Sequence, residues 1–92
     1  MGTKAQELEM IARNQGCLGK AADDEPVFVF RAKDELAPDT IEFWAARLED
    51  RTRGILSGTM NVDASRAKIK EARAVAHNMR AWQALHGSKR PD

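Results

Sequence analysis

Arg66, Lys70, Arg73, His77 and Arg80 recur at spacings of four, three, four and three. On an α-helix that rhythm sets all five on one stripe. Arginine offers a planar fork for phosphate or carboxylate, and lysine a mobile point charge. Histidine adds a donor whose charge changes near neutral pH. The chemistry implied is capture of an anion. Three fates are open to such a stripe: a solvated helix face, pairing with acids of the same chain, or binding of an anionic ligand. Arg31 and Lys33 are secondary candidates for the same ligand.

Other reactive types are sparse. The run Gly16-Cys17-Leu18-Gly19-Lys20 resembles a phosphate loop only faintly. Its spacing is too short, and Ala21 stands where a hydroxyl is required, so it reads as a turn. Cys17, His77 and His86 are the soft metal ligands, and the two histidines are wrongly spaced for one helix face. No metal and no cofactor are expected. Nothing places a base beside Cys17, and the carboxylates lie in solvated-looking runs, so no catalytic residue is assigned. The chain is read as a non-enzyme.

Charge divides along the sequence. The formal net charge is +1. Residues 1–50 carry −5 and residues 51–92 carry +6. An acidic half of this size disfavours a general nucleic-acid role, and the basic helix lacks the short preceding turn of a helix-turn-helix. One cysteine, no signal-like apolar run and no stretch long enough to span a bilayer make a cytoplasmic protein without membrane contact the expectation.

Three helices must position the stripe. The first runs from Thr3 to about Gln15, with Thr3 and Gln6 at capping-box spacing and Gly16 as its stop. Gly16 to Glu25 reads as loop, ending in the acidic run Asp23-Asp24-Glu25. Val27-Phe28-Val29-Phe30 is the one strand signal, and four apolar residues in a row suggest burial on both faces. A lone strand needs a partner. Thr59–Val62 or the same strand of a second copy can serve. The second helix starts near Pro38, carries Ile41, Trp44, Ala45 and Leu48 as its apolar stripe, and ends around Thr52. Trp44 is expected in the core, with Trp44 or Phe43 as an alternative stacking surface for a base. The third is capped by Asn61 or Asp63 and stops at Gly87. Its core face is Ile69, Ala72, Val75, Ala76, Met79 and Trp82, and Ala67, Ala74 and Ala81 line an adjoining face. The tail 88–92 is expected to be mobile.

The fold class expected is therefore mainly α: one small domain of three helices with one short extended segment. Residues 1–22 form an N-terminal helix and loop, and 23–87 the core. Ninety-two residues with few aromatics bury a modest core, which makes a homo-oligomer the expected state.

The segment from Asp24 to Pro38, DEPVFVFRAKDELAP, resembles a family of small proteins of tailed phages and prophages that share a "DEPVFVLRAKD-x-LAP" core. Trp44 and the later Glu71-Ala72-Arg73, Ala76, Met79, Trp82 series also match that family's pattern, so the resemblance spans roughly residues 23–92. It implies a phage accessory protein in the bacterial host cytoplasm, acting by stoichiometric binding. The leading expectation is sequestration of a phosphate-bearing ligand, such as a cyclic nucleotide of host immunity. The alternative is direct inhibition of a host or phage protein.

Overall fold

The computed structural model of the chain describes residues 2–53 and 60–90. It is mainly helical, with three longer helices and one short one: α1 (Lys4–Ala12), α2 (Gly16–Lys20), α3 (Ala37–Thr52) and α4 (Met60–His86). The Thr3 hydroxyl accepts from the Gln6 backbone N–H at 3.3 Å, and the Gln6 side chain accepts from the Thr3 N–H at 2.9 Å. The capping box therefore forms as the spacing predicts. Helix α1 ends at Ala12, three residues early, because Asn14 (φ 54°) and Gly16 (φ 74°) turn the chain through left-handed geometry. The expected loop after it begins with α2, which folds back so closely that a Cβ on Gly19 would lie 3.0 Å from the Asn14 carbonyl carbon.

Helices α3 and α4 form an antiparallel hairpin, and among the described elements α1 touches only α2. The Cα radius of gyration is 14.7 Å, above the roughly 12 Å of a compact chain this long. The buried core lies almost wholly in the hairpin. Ala45, Ile69 and Ala72 pack together, with Ile41 and Leu48 half-buried against them. Ala37, Pro38, Val62 and Ala76 complete the buried set among the described residues. Alanines let the helix axes approach closely but contribute little area each, so the hydrophobic gain is modest. No residue of α1 or α2 is buried.

Several expectations are corrected. Val27–Phe30 forms no strand. Among the described residues no strand offers it an edge, and Val27, Phe28 and Val29 are exposed instead of buried on both faces. Thr59 lies outside the described residues, and Met60–Val62, the suggested partner, is helical. Asn61 and Asp63 lie inside α4, whose start precedes them, and so do not cap it. Trp44 and Trp82 are only partly covered, since small residues fill the narrow interface ahead of them. Ala67, Ala74 and Ala81 are exposed. The single bridge among the described residues joins Asp34 to Lys89.

Candidate functional site: the two ends of the helical hairpin

The basic stripe of α4 is two lines of residues. Arg66, Arg73 and Arg80 are seven apart, and a straight helix drifts only about 20° per heptad. Lys70 and His77 form a second line about 40° further from α3. The first line borders the α3–α4 contact, and two of its arginines meet carboxylates of α3. Arg80 Nη2 donates to Asp39 Oδ1 at 2.9 Å and to Glu42 Oε2 at 3.0 Å. Arg73 Nη1 donates to Glu49 Oε2 at 2.9 Å. These pairs lock the register: seven residues down α4 match seven up α3, since Glu42 and Glu49 also lie seven apart.

The hydrogen bond from Arg80, helped by its charge, holds the Glu42 carboxyl below its ordinary value near 4.5. Arg73 lowers Glu49 in the same way. Glu42 and Asp39 in turn raise the Arg80 pKa by accepting its hydrogen bonds. All these groups remain substantially exposed, so water screens the pairs and they define register more than stability.

Arg66 continues the series, but its partner position on α3 would be residue 56. Helix α3 ends at Thr52. Among the described residues neither Arg66 nor Lys70 has an ion pair or side-chain hydrogen bond. Both line an open cleft of about 530 Å³, together with Glu49, Thr52, Arg53, Ile69 and Arg73. Arg53 reaches Glu49 and Asp50 only at 3.6 Å. Four cations thus surround one carboxylate that is already engaged. Ile69 forms an apolar floor.

The opposite end of the hairpin is stitched shut. Gln83 Nε2 donates to the carbonyls of Ala32 at 2.8 Å and Asp34 at 3.0 Å. Lys33 Nζ donates to the His86 carbonyl at 3.1 Å, satisfying a carbonyl at the end of α4. Glu35 N–H donates to the Lys89 carbonyl and Lys89 N–H to the Lys33 carbonyl, each at 2.9 Å. The turn at Gly87 (φ 77°) sends the chain back for this bridge, where a side chain would strain the backbone.

The predicted site residues therefore separate. Arg66, Lys70 and Arg73 share the cleft. Arg80 is held at the other end, and His77 is exposed on the outer line. Lys33 serves the helix terminus, and Arg31 is exposed, its carbonyl accepting from Asp34 N–H. Asp23 and Asp24 make no ion pair among the described residues, so α3 supplies the acids that meet the stripe. Arg53 was not singled out from the sequence. Its place at the end of a helix that must pack antiparallel to a basic one was the available signal. Among the described residues no helix is long and apolar enough to cross a membrane. The chain matches no family model, no curated protein and no solved structure.

Proposed function

We propose that this is a non-catalytic binding protein that captures a phosphate-bearing small ligand, of the nucleotide class, in the cleft where α3 ends beside α4. One observation carries the reading: Arg66 and Lys70, cations without protein partners among the described residues, line the same cleft as Arg53 and Arg73. Arginine forks suit phosphate oxygens, and the cleft volume lies within the range of small-ligand sites. Arg80, Arg31 and Lys33 are not ligand contacts in this reading, and His77 lies beyond the cleft. The resemblance to phage proteins supplies the setting: the bacterial cytoplasm, where a cyclic nucleotide immune signal is the specific candidate for sequestration.

Calorimetric titration with a panel of linear and cyclic nucleotides tests the proposal. Binding that is lost in Arg66→Glu/Lys70→Glu with helicity unchanged supports it. Absence of binding across the panel, and with inorganic pyrophosphate, rejects it. A second reading, direct contact with a host or phage protein, is favoured by the exposure of Phe43 (69 %) and Leu85 (82 %). Defined co-expression with a candidate partner, followed by loss of the complex in Phe43→Ser, would favour that reading.

A further inference from the structure

The segment Val27-Phe28-Val29-Phe30 is the most apolar run of the chain, and the protomer leaves it uncovered. Phe28 is 80 % exposed and Val29 62 %. Among the described residues no hydrogen bond reaches the backbone of Pro26–Phe30. The Phe28 and Phe30 rings meet edge to face at 4.8 Å. Contact between residues two apart is what an extended backbone produces, with Val27 and Val29 on the other side. The segment is thus shaped as a strand and lacks a ladder.

We infer that its occupant is the same segment of a second copy, paired antiparallel across a two-fold axis. The flanks argue for this choice. Asp23, Asp24 and Glu25 precede the segment, and Arg31 and Lys33 follow it. Antiparallel pairing of two copies sets the acidic flank of each against the basic flank of the other, whereas parallel pairing sets like against like. A two-fold interface must be self-complementary, and this sequence is.

Proline fixes the register further. With Phe28 opposite Phe28, Val27 faces Val29, Pro26 faces Phe30 and Glu25 faces Arg31. In an antiparallel ladder, opposed residues alternate between hydrogen-bonded and non-hydrogen-bonded pairs. If Val27 and Val29 exchange the backbone bonds, Pro26 falls at a non-hydrogen-bonded position, where its missing N–H costs nothing. The Phe28 pair then sits at the closer, non-bonded spacing on the axis. The interface is built from main chain and alternate side chains, as in strand addition generally. It uses no residue of the cationic cleft, so it stands or falls independently of ligand binding.

Charge reversal on the full chain gives the test, with light scattering across a concentration series as the readout. The native chain is expected to dimerise. Glu25→Arg sets two guanidinium groups against each other at both ends of the paired strands, and Arg31→Glu sets two carboxylates against each other there. Each variant alone is expected to dimerise about tenfold more weakly. Glu25→Arg also removes an acceptor for the Ala22 N–H, held at 3.3 Å. Mixing separates that local loss from pairing. The variant carrying Glu25→Arg has cations at both positions 25 and 31, and the variant carrying Arg31→Glu has carboxylates at both.

Equimolar mixing of the two variants sets cation against carboxylate at both ends of the paired strands, and is expected to recover dimer as the heterodimer. Val29→Pro removes a ladder donor and is expected to give a monomer with unchanged helical circular dichroism. A native chain that is monomeric at millimolar concentration overturns the inference, as does a dimer indifferent to mixing or to Val29→Pro.

Discussion

The two ends of the α3–α4 hairpin carry the same kind of arginine, fourteen residues apart on one line, and use it differently. At the closed end Arg80 is divided between Asp39 and Glu42, and Gln83 and Lys33 tie the incoming chain to the end of α4. At the open end Arg66 lies past the last turn of α3 and shares a cleft with Lys70 and Arg53. The difference comes from helix length and not from residue type. A partner helix of 16 residues against one of 27 supplies acids for only part of a basic line. Unmatched charge is the consequence of where the shorter helix stops.

The largest effect is expected where both ends depend on one contact. Ile69 packs on Ala45 and Ala72 and floors the cleft. Ile69→Ala is expected to cost about 2–5 kcal/mol, read as a lower midpoint in urea unfolding. With so little core elsewhere, unfolding of α3 and α4 together is the expected outcome. Loss of less than about 1 kcal/mol would mean that the small-residue seam alone holds the hairpin.

Gln83→Ala acts at the closed end only. It leaves the half-buried carbonyl of Ala32 without its donor, while the Asp34 carbonyl keeps the Ala37 N–H, at about 1–3 kcal/mol. Hydrogen exchange should quicken at residues 32–36 and in the last turn of α4, and should leave the turns around Arg66 unchanged. Uniform acceleration along α4 would show that the two ends are not separable.

Much of the scaffold was legible before the structure. The capping box at Thr3, the α3 apolar stripe through Ile41, Ala45 and Leu48, and the stop at Gly87 all follow from local pattern, and local pattern suffices for helices. The rest depends on tertiary register. The even basic stripe gave no sign that Arg73 and Arg80 would be engaged and Arg66 not, since that depends on the end of α3. Gln83 reads as an ordinary surface residue until Ala32 and Asp34 are brought to it. Val27–Phe30 has every strand feature except a partner among the described residues of the protomer, and the burial expected from its apolar run does not occur. Arg53 and the cleft it borders belong to the same class of tertiary information.

Acid should weaken the closed end and the centre. Glu42 and Glu49 have carboxyl pKa values lowered on folding by Arg80 and Arg73. Their contribution is present above the ordinary carboxyl value and fades as pH falls through the lowered folded value. Stability is therefore expected to decline below about pH 4.5. The Glu42→Gln/Glu49→Gln double variant should show a shallower decline over the same range. Since the pairs are exposed, molar salt should shrink the difference. An identical acid profile in the double variant would show that the ion pairs do not set the acid response.

The smallest effect on stability and the largest on binding should come from one substitution. Arg66→Glu, at a site without a protein partner among the described residues, is expected to shift unfolding by no more than about 0.5 kcal/mol. Arg80→Glu, facing Asp39 and Glu42, is expected to lower the melting temperature visibly. The most direct measurement sets these two variants beside the native chain in a calorimetric titration with the tightest-binding nucleotide of the panel. Affinity lost in Arg66→Glu and kept in Arg80→Glu is the result predicted. Equal loss in both, or affinity kept in Arg66→Glu, would contradict the claim that the unmatched end of the hairpin is the anion site.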